Sequence, residues 1–219
     1  MAGTLKIGGN TIATHAGSEG EGTVTLDSST LTIGSNVSLT SATFPSGHII
    51  QTVQYLETAS YTMTYNVSSG WVKLTNGSGV DFAVTITTKV ANSKIMVGIY
   101  IGQSVAHTGV GYGGGARLVR EVGGSGTNIG LNTGSGTPKG TFSMCSDNPT
   151  YGDRPVSFVF LDSPNASVGT AIKYYITLLS HTTGNHTFLM NRNNSYTTSG
   201  TTGSQTVNSS TFIAQEIAP

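Results

Sequence analysis

From residue 46 onward, apolar and polar residues alternate along short segments separated by turn-forming residues. The clearest examples are residues 81–90 and 94–101. A period of two indicates strands that bury one face, and no stretch shows the 3.6-residue stripe of an amphipathic helix. The other predicted strands are 48–55, 60–65, 117–122, 156–161, 171–179, 187–190 and 211–217. The pattern predicts an all-β chain in which residues 46–219 form one jelly-roll-like β-sandwich of about eight strands or more.

Composition excludes other fold classes. Charged residues make up only 9% of the chain, against roughly 25% in an ordinary soluble domain. Helical bundles need more Ala, Glu, Lys and Leu, and the 30 glycines lack the three-residue period of collagen. A disordered chain combines high net charge with few β-branched residues, whereas this chain has zero net charge and many of them.

Charge and cysteine content limit the expected partners. The ten Lys and Arg are dispersed singly and balance ten Asp and Glu, so the sequence predicts no nucleic acid partner. No apolar run is long enough for membrane insertion, and the first nine residues lack the apolar core of a signal peptide. The single cysteine, Cys145, cannot form an internal disulfide and is expected to be a small buried apolar residue. We therefore expect the chain to fold in a reducing cytoplasm and not to be secreted.

Residues 1–45 form a separate segment by composition. They contain one Phe, no Tyr and no Trp, and their alternating pieces are short: 4–7, 23–26, 31–33 and 37–39. A segment this small and this poor in large apolar residues does not close a core alone. It is predicted to be an extended attachment or stalk segment that intertwines with other copies; a flexible Ser/Thr-rich leader is the alternative.

Three polar stretches between the predicted strands are candidate exposed loops: 107–116, 123–140 and 191–210. Long loops in compact domains are often functional. Tyr112, Tyr151 and Tyr196 lie in loop or turn sequences rich in Gly, Ser and Asn. Such tyrosines form adaptable contact surfaces, so these three are the candidate receptor-contact residues. Capping of the ends of the sandwich is the alternative role.

No catalytic, cofactor or metal site is predicted. The Gly-rich run 109–113 is followed by a strand pattern and not by the helix that a dinucleotide site needs. Asp147 and Asp153 flank a turn sequence, where Asp usually caps the turn, so a glycosidase pair is not expected. His181 and His186 bracket a predicted hairpin but lack the further ligands of a zinc site. The chain is therefore not expected to be an enzyme.

Short motifs throughout the chain resemble those of a known family. They are 1–9, 49–52, 93–97, 153–155, 160–164, 189–192 and 209–217. In these motifs the chain is similar to small virion structural proteins of tailed phages, particularly phages of marine and cyanobacterial hosts. The resemblance covers most of the chain and supplies no catalytic residues.

The resemblance implies a homotrimeric, surface-exposed fibre or spike that takes part in host attachment. Its N-terminal segment would join other virion proteins, and its head would contact a host-surface glycan or protein. A trimeric capsid decoration protein is the main alternative, and a glycan depolymerase is a third. The implied location is the virion, after synthesis in the host cytoplasm.

Overall fold

The chain divides into two units, Met1–Thr43 and Phe44–Pro219. The structure, a computed structural model, describes residues 3–7, 10–15, 45–66, 70–106, 114–131, 140–144, 155–180, 185–191 and 208–219. None of these residues is in an α-helix. The described part of the protein is therefore all-β, as the alternation predicts.

In the first unit, strands β1 (Gly3–Ile7) and β2 (Asn10–His15) form an antiparallel pair. The register shifts between Leu5 and Lys6. The predicted piece 4–7 lies in β1, whereas the pieces 23–26, 31–33 and 37–39 lie outside the described residues. The intertwined stalk stays a prediction.

The second unit contains the remaining strands. They are β3 (Ile49–Glu57), β4 (Tyr61–Asn66), β5 (Val72–Lys73), β6 (Ala83–Thr87), β7 (Lys94–Ile101), β8 (Gln103–Ala106), β9 (Gly114–Val122), β10 (Ser125–Ile129), β11 (Phe142–Met144), β12 (Val156–Asp162), β13 (Ala171–Ser180), β14 (Asn185–Met190) and β15 (Ser210–Ile217).

The first sheet has the strand order β12-β7-β15-β3, with every neighbouring pair antiparallel. A three-stranded sheet, β4-β14-β8, extends it. Strand β4 follows β3, β8 follows β7 across Gly102, and β14 occupies the position between them that β15 occupies further along. The central position is thus shared by two strands laid end to end. The predicted strand 211–217 is β15, which lies in the central position of the sheet.

The second sheet has the order β10-β9-β13-β5, with β11 also pairing with β9 and β6 also pairing with β13. Strands β5 and β6 share one position because both pair with β13, at Thr177–Leu178 and Ala171–Tyr175 respectively. The residues between them include an antiparallel bridge from Thr75 to Asp81. Each sheet therefore has four strand positions.

The strand order defines a jelly roll. In chain order the eight strand positions are β3 with β4, β5 with β6, β7 with β8, β9, β10 with β11, β12, β13, and β14 with β15. The first sheet holds positions six, three, eight and one in spatial order, and the second sheet holds positions five, four, seven and two. Two sheets built in this way from two Greek keys form the jelly roll. The predicted jelly-roll-like sandwich is confirmed.

One hydrophobic core fills the space between the sheets, because each strand turns alternate side chains inward. In β7, Ile95, Val97, Ile99 and Ile101 are at most 3% exposed, as their alternation predicts. Other fully buried side chains, from strands and from the residues between β5 and β6, include Tyr174, Phe82, Phe188, Phe212, Leu74, Ile86, Leu118, Ile172 and Ile176.

The predicted loop 123–140 is wrong over its first residues. Gly123 and Gly124 form a tight turn between β9 and β10, and Ser125–Ile129 pairs with β9. Both glycines have positive φ, at 57° and 82°, which is the conformation of the two-residue hairpin turn that Gly-Gly favours. The loop 107–116 is also shorter than predicted, because β9 begins at Gly114.

Ile49 is a second correction. The sequence places it on the same face as Val53 and Tyr55, but 48% of Ile49 is exposed whereas the other two pack against the core. The pairing of β15 with β3 shifts between Glu216 and Ile217, so that Ile217 is opposite Ile49. This irregularity changes the side to which the start of β3 points.

Candidate interaction surfaces

The outer side of the first sheet carries no charge over three successive rows of described residues. Strand pairing aligns them across β12, β7, β15 and β3. The rows are Ser157, Tyr100, Thr211 and Leu56; then Val159, Gly98, Ile213 and Gln54; then Leu161, Met96, Gln215 and Thr52. We call these residues the uncharged face.

The β3 side of the uncharged face is polar apart from Leu56, and the β12 side is apolar apart from Ser157. On the β3 side, Gln54 Nε2 donates to Thr211 Oγ1 (2.9 Å) and Gln215 Nε2 donates to Thr52 Oγ1 (3.2 Å). On the β12 side, Val159 and Leu161 are 63% and 51% exposed. Large exposed apolar groups that adjoin each other often mark contact surfaces.

Gly98 leaves a gap in the apolar part of the uncharged face. It lies between Val159 and Ile213 in the middle row. A Cβ atom built on Gly98 would lie 3.9 Å from the Ile213 Cβ, which is ordinary van der Waals contact. A methyl group therefore fits here without disturbing the fold. The absence of one in the sequence creates a shallow depression bordered by Val159, Ile213, Tyr100 and Met96.

The outer side of the second sheet is charged. Asp81 accepts hydrogen bonds from Lys73 Nζ (3.1 Å) and from Lys173 Nζ. The Lys73 ammonium also lies 4.3 Å from the centroid of the Tyr175 ring. Glu121 is paired in register with Lys173 across β9 and β13. Together with Arg117, these residues form what we call the charged face.

The charges of this face shift each other's titration. Burial alone would raise the pKa of Asp81, but the hydrogen bonds and charges of Lys173 and Lys73 outweigh burial and lower it. Burial alone would lower the pKa of Lys73, but Asp81 outweighs it and raises it. Both shifts favour the ionised pair at neutral pH.

Aromatic rings on the charged face are covered by cations and lie close to glycines. The guanidinium carbon of Arg117 is 3.7 Å from the centroid of the Trp71 ring. A Cβ atom on Gly115 would lie 3.2 Å from Trp71, and one on Gly126 would lie 3.0 Å from the Tyr175 Oη. The charged face thus satisfies its own aromatic and ionic groups.

A buried ion pair joins the two sheets beneath β12. Arg120 Nη1, on β9, donates to both oxygens of the Asp162 carboxylate, on β12, at 2.8 and 3.0 Å. Tyr174 Oη, on β13, donates to Asp162 Oδ2 at 2.8 Å. Burial raises the pKa of Tyr174 well above its ordinary value, and the charge of Asp162 adds to the effect. Three strands from two sheets thus meet at one carboxylate.

The two chain ends of the second unit lie together. The Gly47 N–H donates to the Ala218 carbonyl (3.0 Å), and the Ala218 N–H donates to the His48 carbonyl (2.8 Å). We call this the terminal end of the sandwich. The hydrogen bonds fix the place at which the chain begins β3.

Glu216 holds the terminal end without an ion pair among the described residues. Its side chain is fully buried, and its carboxylate accepts hydrogen bonds from Lys89 N (2.8 Å), Val90 N (2.9 Å), Ser93 Oγ (2.8 Å) and Gln51 Nε2. Charge-assisted hydrogen bonds of this kind compensate for the loss of hydration. The last strand thereby fixes the loop between β6 and β7.

Asn191 connects the strands where β14 ends and β15 begins. It is fully buried and has a positive φ of 57°. Its Nδ2 donates to the carbonyls of Glu57 (2.8 Å) and Ala59 (3.0 Å), and its Oδ1 accepts from Ser210 Oγ (2.6 Å). Its N–H donates to the Gly102 carbonyl. One side chain therefore replaces the ladder hydrogen bonds at the break in the sheet.

The sequence-predicted contact residues Tyr112, Tyr151 and Tyr196 lie outside the described residues. Gly114, which follows the segment of Tyr112, pairs with Met144, which precedes the segment of Tyr151. Gly114 also pairs with Ser180 at the end of β13, opposite the terminal end. The described residues that flank Tyr112 and Tyr151 are thus neighbours.

Most of the residues considered above for catalytic, disulfide or metal-binding roles also lie outside the described part. Cys145, Asp147, Asp153 and His181 lie outside it, and only the backbone of His186 is described. Within the described ranges, no group of three His, Cys, Asp or Glu side chains is placed to hold a metal ion. Among the same residues, no helix is long and apolar enough to cross a membrane.

The sequence reasoning missed both outer faces. The alternation in the sequence could have predicted them. The outward-facing residues of β12 and β15 are uncharged, whereas those of β9 and β13 include charged residues. Glu216 was also missed, although it shares the parity of the inward-facing Phe212 and Ala214.

Comparison with known proteins adds a weak structural likeness. No protein-family model and no curated protein matches the chain. Solved structures that match include the infectious bursal disease virus Gx strain, with a TM-score of 0.36 and 14% identity over 87% of this chain and 42% of that chain. The infectious bursal disease virus VP2 subviral particle matches with a TM-score of 0.34 and 15% identity, over 77% of this chain and 38% of that chain.

This chain thus spans about two-fifths of the length of each of these viral structures. TM-scores at this level carry no argument about function. The class of the protein rests on its own strand order, which is that of a jelly-roll β-sandwich.

Proposed function

We propose that the chain is a virion structural protein, homotrimeric and exposed on the particle, that acts as a fibre or spike in host attachment. Jelly rolls recur in viral capsid proteins, as well as in lectins and cupins. The resemblance of its short motifs to those of tailed-phage virion proteins favours the virion among these possibilities. We propose no catalytic role.

The meeting of the two chain ends supports this proposal most directly. Gly47 and His48 are hydrogen-bonded to Ala218 at the terminal end. The flanks of the segments that contain Tyr112 and Tyr151, which are Gly114 and Met144, are paired beside Ser180 at the other end of β13. A head held at its terminal end would present the opposite end to a host surface.

The number of copies per particle distinguishes this proposal from the decoration alternative. Quantitative mass spectrometry of purified virions should find the chain at tens of copies or fewer, at a constant ratio to a tail protein. Hundreds of copies, in proportion to the major capsid protein, would favour a decoration protein. Absence of the chain from purified particles would exclude both.

Competition for adsorption tests attachment itself. The purified chain should reduce the adsorption of virions to host cells, and Tyr112→Ala and Tyr151→Ala should weaken this inhibition. A control is Val168→Ala, because Val168 is 62% exposed and lies outside the uncharged face. If all variants inhibit as well as the unchanged chain, these tyrosines do not contact the receptor.

A further inference from the structure

Strand β12 is an apolar strand at the edge of the first sheet. Among the described residues it pairs only with β7. Its outward side chains, Ser157, Val159 and Leu161, carry no charge, its Asp162 is buried, and the strand contains no proline. Natural proteins usually protect a free edge with charges, bulges or proline, because exposed strands pair with other chains.

Strand β10, one of the two edge strands of the second sheet, is polar where β12 is apolar. The exposed residues of β10 are Ser125, Gly126, Thr127 and Asn128, which are small and polar, and only Ile129 at its end is buried. This edge offers little apolar area to a partner. Within the described sandwich, β12 and the adjoining apolar part of the uncharged face are therefore the surface most suited to association with a partner.

The absence of charge determines what can cover this surface. A partner that brought Lys, Arg, Asp or Glu against it would lose their hydration and find no opposite charge in the three rows. The complement must therefore be uncharged as well. Of the two outer sheet faces in the described part of this chain, only the uncharged face meets this requirement, so a second copy of the chain provides a matching surface.

We infer that copies of this chain associate through the uncharged face, with the β12 side of one copy's face against the face of the next and a side chain of the neighbouring copy in the Gly98 depression. The inference deepens the proposed function and rests on its assembly, which it assigns to a surface. A closed symmetric assembly would also cover the β12 edge, which has no second partner among the described residues.

The test measures the oligomeric state of the purified full-length chain by sedimentation velocity and light scattering. The unchanged chain should be an oligomer, and Val159→Glu with Leu161→Glu should raise its subunit dissociation constant about 100-fold or more, because the contact would bury unpaired carboxylates. The matched control is Val80→Glu with Val168→Glu, since Val80 and Val168 are 54% and 62% exposed but lie outside the uncharged face. The control should assemble normally.

A second variant keeps the test decisive if the glutamates disturb folding. Gly98→Val fills the depression; its Cβ atom would lie at ordinary contact distance from the Ile213 Cβ within one copy, and β-branched residues suit a strand. It should unfold at the same temperature as the unchanged chain, or higher, when both are monomeric, yet dissociate more readily. Normal assembly by both Gly98→Val and the double glutamate variant would overturn the inference, as would a monomeric unchanged chain.

Salt gives an independent readout. Raising sodium chloride from about 0.1 M to about 1 M shortens the screening length from about 10 Å to about 3 Å. Assembly through an uncharged face should persist, and dissociation by salt alone would contradict it. Because these measurements use the purified chain, they can fail while the chain is still found in virions, and the reverse also holds.

Discussion

The two outer faces of this sandwich are built from the same kind of strand but solve opposite problems. On the charged face, Asp81 is bonded to Lys73 and Lys173, and cations cover the rings of Tyr175 and Trp71. On the uncharged face, Val159 and Leu161 are more than half exposed, and Gly98 between Val159 and Ile213 leaves a gap. A face that satisfies its own groups can remain in water, whereas one that exposes apolar groups gains from being covered.

The largest expected loss of stability comes from removing the ion pair between Arg120 and Asp162, which joins the two sheets. Asp162→Ala would leave Arg120 without its buried carboxylate and Tyr174 without its acceptor. The free energy of unfolding should fall by about 3–5 kcal/mol, measured by urea denaturation. The neighbouring exposed Ser163→Ala is the control and should change little. A loss below about 1 kcal/mol would mean that the sheets are held together without this tie.

Asn191 tests whether the first sheet depends on one side chain. Asn191→Gly removes the hydrogen bonds to Glu57, Ala59 and Ser210 but tolerates the positive φ. We expect a loss of about 2 kcal/mol from the unsatisfied buried groups. Asn191→Ala should lose about 1 kcal/mol more because of the left-handed backbone.

Hydrogen exchange would locate this effect. Protection should fall first in β14 and β15, while β9 and β13 of the second sheet keep theirs until global unfolding. Equal stability of the Gly and Ala variants would show that the backbone conformation at residue 191 contributes nothing.

A glycine-to-alanine substitution on the uncharged face and one on the charged face should change the free energy of unfolding in opposite directions. Gly98→Ala adds a Cβ at ordinary contact distance from Ile213, so it should stabilise the fold by about 0.5–1 kcal/mol. Gly126→Ala places a Cβ at 3.0 Å from the Tyr175 hydroxyl and 3.1 Å from a Val119 methyl, which should destabilise the fold by about 1 kcal/mol. Thermal unfolding of both variants, made with Val159→Glu and Leu161→Glu to exclude assembly, measures the difference. If both variants were stabilised, or both destabilised, the two faces would not differ in packing as proposed.

The smallest effect is the acid response of the charged face. The pKa of Asp81 is lowered in the folded state, so its contribution is present above the unfolded pKa of about 3.9 and is lost as pH falls below it. Asp81→Asn should reduce stability at pH 7 by less than about 1 kcal/mol, because the pair is partly exposed. The difference between the variant and the unchanged chain should shrink towards zero in denaturation at low pH. A constant difference across that range would assign the effect to packing and not to charge.

The sequence predicted the strands whose alternation is complete, and it failed where a few residues decide. Strands β7 and β15 were predicted almost to the residue, because the inward side chains of β7 are all apolar and those of β15 include Phe212 and Ala214 in alternation. The Gly123-Gly124 turn was taken for part of a loop, although two adjacent glycines also form a hairpin turn. Strand β5 was too short for alternation to be visible.

Which strands become neighbours could not be predicted, and this limits prediction of the surfaces. The uncharged face joins residues from Thr52 to Gln215, and such distant pairing depends on the whole core and not on local pattern. The contact tyrosines remain sequence predictions, because Tyr112, Tyr151 and Tyr196 lie outside the described residues.

The junction at Asn191 also has a consequence for how the protein tolerates change. The Asn208 N–H donates to the Asn191 carbonyl (3.2 Å), so the two ends of the intervening sequence are clamped together by the sheet itself. Closing a longer segment between fixed ends adds only about 0.6 kcal/mol for each doubling of its length. We therefore expect an insertion between these two asparagines to cost the described sandwich little stability, which suits this junction to the display of foreign peptides.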